Sequence, residues 1–218
     1  MASDAALLAE SNVTGQAFLR LYRFDPPCLS LGRNEPPDQY DQDAIARLGV
    51  DVVRRPTGGR AVWHQDEVTY AVAAPIAVFG GLRRAYHKIH ERLAAAMRSL
   101  GADATLALHQ PPPSFSLLHH PPPCFAAPSG GEVLVAGRKL IGSAQVRMRS
   151  AFLQHGSILL DGSQDLVSIV SRQPSTAGGE TTLSAVLGRR VSFEEVANAI
   201  IATWGAELTC SITALVKS

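Results

Sequence analysis

Val50-Asp51-Val52-Val53-Arg54-Arg55-Pro56-Thr57-Gly58-Gly59-Arg60-Ala61-Val62-Trp63-His64 decides how the rest of the chain is read. Strand-forming residues from Val50 to Arg54 deliver the backbone into a tight loop, and Ala61 to Trp63 resumes as a strand. Glycine has no Cβ and tolerates positive φ, so Gly58-Gly59 lets main-chain N–H groups approach an acyl carbonyl or a phosphate closely, with the flanking arginines supplying charge. By itself a Gly-Gly reads as a plain hairpin turn with solvated arginines. A second element far downstream shifts that weighting: Gly137-Arg138-Lys139-Leu140-Ile141-Gly142-Ser143-Ala144-Gln145, followed by Leu153-Gln154-His155-Gly156-Ser157.

Outward from the loop, the pattern predicts a short helix over Asp4 to Ala9 capped by Ser3, a strand from Phe18 to Phe24 ended by Pro26-Pro27, and a short apolar strand at Leu29 to Leu31. Asp41 to Leu48 reads as a helix closed by Gly49, and Val68 to Ala74 as a strand. Leu82, Tyr86, Ile89, Leu93, Met97 and Leu100 recur at helical spacing, which gives a long helix with a core-facing stripe. Glu132 to Ala136 and Lys139 to Val146 form a hairpin turning at Ala136-Gly137, and Phe152 to Leu160 is a further strand. Ser192 and Glu195 make a capping box for a helix over Phe193 to Trp204 closed by Gly205, and Cys210 falls in an apolar C-terminal strand. Strands outnumber helices and several are joined by tight turns. The expected class is α+β, with a mixed, largely antiparallel sheet packed with helices.

A chain of 218 residues is long enough for one domain, residues 1–218, with a core that fills without disulfides or metals. A net charge of +1 points to neither nucleic acid nor an anionic membrane as partner. Cys28, Cys124 and Cys210 are an odd number at wide spacing, which suits reduced thiols in a cytosol and neither a disulfide framework nor a zinc site. No apolar run reaches the ~18 residues of a membrane span, so the expected place is cytoplasmic. Arg54, Arg55, Arg60, Arg83, Arg84, Lys88, Arg147 and Arg149 could form a basic rim. Pro111 to Pro113 and Pro121 to Pro123 mark a loop that stiffens the approach to Cys124. His119-His120 nearby lack a fourth ligand and make a weak metal site.

The wording RRPTGGRAVWH, Glu67-Val68-Thr69-Tyr70, Cys124-Phe125, GRKLIGSAQ and LQHGSILLD resembles the lipoate-protein ligase, octanoyltransferase and biotin-protein ligase superfamily. Within it the chain is most similar to the cysteine-dependent octanoyltransferases. Ligases that use ATP usually show a third glycine where this chain has Arg60, and a Gly-Asn pair in place of Glu67-Val68. The resemblance implies the biotin and lipoate ligase catalytic fold and transfer of an octanoyl or lipoyl group from acyl carrier protein to a lysine of a lipoyl domain or of a glycine cleavage H-type protein. It implies Cys124 as the acyl-accepting nucleophile and Lys139 as the residue that contacts the acyl carbonyl. Substrate contacts are implied at Arg55, Gly58, Gly59, Arg60, His64, Gly142, Ser143, Ala144, His155 and Gly156. No cofactor is required on this route, because a thioester is already activated; ATP and Mg would enter only for a ligase.

From the residues alone, Cys28 remains a competitor of Cys124, although free cysteine in a strand is usually a small buried hydrophobe. A lysine at a strand end such as Lys139 is usually solvated and contributes little to stability. Its functional reading is an ammonium that lowers the Cys124 thiol pKa and steadies an oxyanion. His155 and His64 read as hydrogen-bonded wall residues in preference to general bases. Two alternatives stay open: an ATP-dependent lipoate ligase subunit, and a non-catalytic protein that binds acyl groups or lipoyl domains.

Overall fold

The strand Glu67–Pro75 (β5) shows how the sequence pattern becomes packing. Val68, Tyr70, Val72 and Ala74 project into one core cluster and Ala71 and Ala73 into another, as the two-residue period of a strand requires. Side chains on the second face are small, so a helix can lie close against it. That helix is Ala2–Thr14 (α1), whose Leu8 packs with Ala71, Ala73, Phe18, Tyr22 and Leu153. The computed structural model describes residues 1–108, 130–173 and 179–204. Outside these lie most of the proline-rich segment with Cys124, His119 and His120, the Gly205 cap and the strand expected around Cys210.

Phe18–Tyr22 (β1) borders β5, and the sheet continues through Ala151–Leu159 (β9), Arg138–Met148 (β8), Val133–Val135 (β7) and Ala104–Leu106 (β6), every neighbour antiparallel. Ile76–Phe79 (α3) leads into the long helix Leu82–Ser99 (α4), which buries Ile89, Leu93 and Met97 on the sheet. A smaller sheet sets Cys28–Leu31 (β2) between Asp51–Arg54 (β3), parallel to it, and Val62–His64 (β4), antiparallel. Leu29, Leu31, Tyr40 and Ala61 pack there with Ile45 of Gln42–Arg47 (α2) and with Val167 and Val170 of Asp165–Val170 (α5). Leu183–Leu187 (α6) and Phe193–Trp204 (α7) add to the main core, with Trp204 buried beside α4. The class is α+β as expected, divided between two sheets.

Two local expectations need adjustment and a third holds. The first helix is longer than Asp4 to Ala9: it starts after Met1 with no side-chain cap and ends at Gly15, whose φ is 73°. Ser3 lies inside its first turn, and Asp4 is drawn inward by buried partners. Ser192 Oγ does accept from the Glu195 N–H at 3.1 Å, but the Glu195 carboxylate turns to Arg189 instead of completing the box. The Ala136-Gly137 turn behaves as read: φ values of 49° and 74° put both residues in the left-handed region that a two-residue hairpin turn needs. No helix among the described residues is long and apolar enough to cross a membrane.

Candidate active site

The arginine–glycine loop is built by its own arginines. Arg55 donates to the Ser30 carbonyl (2.8 Å), to Ser30 Oγ (2.6 Å) and to the carbonyls of Gly58 (3.3 Å) and Arg60 (2.7 Å). Arg54 donates to the carbonyls of Gly32, Arg33 and Glu35. Arg60 donates to Gln39 Oε1 (2.8 Å) and lies 3.3 Å from Glu35 Oε1. These guanidiniums, expected to offer charge to a ligand, shape the loop instead: Arg54 and Arg55 curl it around backbone carbonyls, and Arg60 turns to the side chains of Gln39 and Glu35. Glu35, which sequence reading missed, is the hub: its carboxylate also accepts from Tyr40 Oη (2.6 Å) and from the N–H groups of Gly32 and Ala61. Gly59 has φ 96°, and its carbonyl oxygen occupies the space that a Cβ on Gly32 would need. Gly58 has nothing within 4 Å of where its Cβ would stand, so the turn keeps an open side.

Strand alternation divides the downstream element. Gly142 and Ala144 of β8 pair in register with Ser157 and His155 of β9, while Ser143 pairs with Gly156. His155 bonds to groups near the loop, with Nε2 2.7 Å from Thr57 Oγ1 and Nδ1 3.0 Å from Asp4 Oδ2. Burial lowers its pKa against the opposing pull of Asp4. Burial would raise the Asp4 carboxyl, yet His155, Tyr22 and Arg20 together hold it below its ordinary value. His64 is placed similarly, with Nε2 2.6 Å from Ser30 Oγ and Nδ1 2.8 Å from Glu67 Oε1, and Thr69 Oγ1 donates to the same Glu67 oxygen. Both histidines therefore sit in fixed hydrogen-bonded walls. Glu67 Oε2 and Ser157 Oγ are buried without a hydrogen-bond partner among the described residues.

Ser143 faces α4. Its Oγ lies 2.7 Å from His90 Nε2 and 2.6 Å from Tyr70 Oη; Gln154 Nε2 donates to Tyr70 Oη at 2.9 Å, and Gln145 Nε2 donates to Gln154 Oε1 at 2.8 Å. His90 Nδ1 lies 2.7 Å from the Gly131 carbonyl. Burial pushes the His90 pKa down to about 4, and the Lys139 charge adds to that. Since a carbonyl only accepts, the proton stands on Nδ1, and Nε2 accepts from Ser143. Gly156 is required here: a Cβ would overlap the Gly142 carbonyl, Ser143 Oγ and Tyr70.

Lys139 is 3 % exposed, and its Nζ donates to Glu132 Oε1 at 2.7 Å. The reading of a solvated strand-end lysine does not hold. The hairpin folds Glu132, itself buried, back toward β8, and a buried cation requires such a partner. The backbone of Lys139 is also tied to Gly179 and Thr181. Cys28 is the one free cysteine among the described residues; burial, reinforced by Glu67 and Asp51, raises its thiol to about 12. No three His, Cys, Asp or Glu side chains among the described residues are grouped so as to hold a metal ion.

The model of the lipoyl protein ligase A/B catalytic domain matches residues 1–205. The octanoyltransferase LipM of Moorella thermoacetica is 39% identical over 203 residues, covering 90% of this chain and 73% of that protein. The one of Kyrpidia tusciae is 38% identical over 201 residues with the same coverages, and that of Symbiobacterium thermophilum 35% identical over 227 residues, 98% of this chain and 83% of the relative. Among solved structures, a lipoate-protein ligase A bound with ATP superposes with a TM-score of 0.79 at 22% identity, over 98% of this chain and 81% of the other. A bipartite lipoate protein ligase from Thermoplasma acidophilum gives 0.69 at 20% identity, over 98% and 80%. These structural likenesses show the fold.

Proposed function

The chain belongs to the lipoyl protein ligase A/B catalytic domain family, and from that membership we propose that it is a cytoplasmic octanoyltransferase of protein lipoylation. The donor is octanoyl-acyl carrier protein, and the acceptor is a lysine of a lipoyl domain or an H-type protein. Relatives that are 35% to 39% identical over most of the chain are octanoyltransferases. The observation within this molecule that carries the reading is Lys139, a cation buried at the start of β8 and held by Glu132. An ammonium kept out of water acts strongly on developing negative charge.

In the proposed reaction the Cys124 thiolate attacks the octanoyl thioester. The carrier's thiolate leaves and an enzyme thioester forms at little free-energy cost, since one thioester replaces another. The acceptor amine then attacks that carbonyl, loses one proton to solvent and expels Cys124 as the thiolate, leaving an amide. Lys139 favours the thiolate and steadies each oxyanion; Glu132 orients Lys139. The Gly58-Gly59 turn supplies main-chain donors, and Arg55 and Arg60 keep it in shape. The raised pKa of Cys28 supports assigning the nucleophile to another cysteine, because a thiol at about 12 is scarcely ionised near neutral pH. A thioester donor makes ATP unnecessary.

Incubation with octanoyl-acyl carrier protein, without ATP, should add one octanoyl mass to the protein. The adduct should be labile to hydroxylamine and absent from Cys124→Ser. Acylation that needs free octanoate plus ATP would point to a ligase. Retention of the thioester in Cys124→Ser would remove Cys124 from the mechanism.

A further inference from the structure

Two buried hydrogen-bond chains share one order of groups, carboxylate to imidazole to hydroxyl, and both end at the arginine–glycine loop. Glu67, His64 and Ser30 form one; Ser30 Oγ accepts from Arg55 and so supports the base of the loop. Asp4, His155 and Thr57 form the other, and Thr57 lies in the loop itself. Asp4 and Thr57 are fully buried, and His155 is 3 % exposed. The second chain gathers residues from three distant parts of the sequence: Asp4 stands 151 positions from His155, and Thr57 stands 98 from it.

We propose that Asp4, on the N-terminal helix, is a positioning residue for acyl transfer that acts through His155 on Thr57 to hold the Gly58-Gly59 turn. The inference rests on the reading that this turn faces the acyl group. Asp4 Oδ2 accepts the Nδ1 proton of His155, which fixes the tautomer and leaves Nε2 to accept the Thr57 hydroxyl proton. The carboxylate cannot swing away, because Arg20 donates to its other oxygen at 2.6 Å and Tyr22 donates to Oδ2 at 2.8 Å. The Thr57 carbonyl accepts from the Arg33 N–H at 2.8 Å, so Thr57 is fixed through both side chain and main chain. The next two residues are glycines, the freest of all in backbone rotation, with open space at Gly58. Thr57 is the last residue before them that side-chain bonding can hold, and its hydroxyl is the grip.

The test compares Thr57→Val, which keeps the volume and removes the hydroxyl, with Thr57→Ser, which keeps the hydroxyl, and with Asp4→Asn, which keeps the shape and removes the charge. Hydrogen–deuterium exchange of the full chain reads the turn directly. Thr57→Val and Asp4→Asn should each speed exchange of the amides at 54–60 by about tenfold while α4 is unchanged. With octanoyl-pantetheine as donor, the same variants should raise KM several-fold with kcat nearly constant. Thr57→Ser should recover most of the loss, and the double variant should be no worse than the poorer single, since both cut one chain. Unchanged exchange at 54–60, exchange raised equally in α4, or additive effects on KM would reduce Asp4 to a structural partner of Arg20. Where Asp4→Asn does not fold, the two Thr57 variants decide the question from the other end. A wild-type protein that transfers no octanoyl group would overturn the function proposed above, and exchange at 54–60 would still decide the positioning role.

Discussion

Beside the loop, His64 and His155 each have a carboxylate at Nδ1, whereas His90, on the α4 side of the sheet, has only the Gly131 carbonyl. All three rings are buried, at 4 %, 3 % and 0 % exposure, so burial does not separate them. The backing group does. At His90 desolvation outweighs the Gly131 carbonyl, which pulls the other way without a full charge; the pKa falls to about 4, and the ring serves as a neutral acceptor for Ser143. At His155 the Asp4 carboxylate pulls the other way, and the ring becomes a link in a charged chain. Equal burial thus yields a neutral scaffold on one side and a charge-backed clamp at the loop.

Lys139 gives the hardest test of that contrast, because it is a charge on the scaffold side, felt by His90. Lys139→Met should lower the rate constant of transfer by ~10²–10³. It should also cost about 3 kcal/mol of stability in urea, since it removes the buried cation that pairs with the Glu132 carboxylate. Adding Glu132→Gln should restore stability and leave activity lost. Activity that returned with stability would make the pair part of the scaffold.

The neutral histidine should make the fold acid-sensitive. Burial pushes the His90 pKa down to about 4 in the folded protein, against an ordinary imidazole value of 6.5 when unfolded, so the unfolded chain binds the extra proton between those values. Its contribution is complete above pH 6.5 and is lost as pH falls through that window, by about 3 kcal/mol for this fully buried ring. Denaturant titrations from pH 7 to pH 4 should show a steeper loss in the wild type than in His90→Gln. Equal slopes would mean that His90 takes up no extra proton on unfolding in this window.

Gly156→Ala strikes the scaffold sterically, driving a Cβ against the Gly142 carbonyl, Ser143 and Tyr70. A loss of ~1–3 kcal/mol is expected, with an unchanged denaturant slope. The smallest effect belongs to the outer surface of α4, where Arg83 and Arg84 stand exposed on the first turn against the helix dipole. Reversing both charges should raise KM for the acidic carrier protein a few-fold at low salt, fading as ions screen beyond ~10 Å. The reaction with octanoyl-pantetheine should not change, and an equal effect on both donors would place docking elsewhere.

Local pattern made much of this protein legible. The stripe from Leu82 to Leu100, the alternation of β5, the Ala136-Gly137 turn and the short helix after Tyr40 can be read in the sequence because each depends on residues within a few positions of one another. Family wording carried the reading to Lys139, Ser143 and His155, but it could not say which of them face the same way. Tertiary structure alone decided that Ser143 turns to His90 while His155 turns to Thr57, that Glu132 neutralises Lys139, and that Glu35 gathers the loop. Asp4 stands in the sequence only as the start of a short helix; folding laid that helix on the sheet and brought the carboxylate to His155. The physical reason is one of range. Backbone preferences and hydrophobic period repeat along the chain and leave a local trace, whereas the partner of a buried polar group is set by which distant strands pack together, and that choice leaves no period to read.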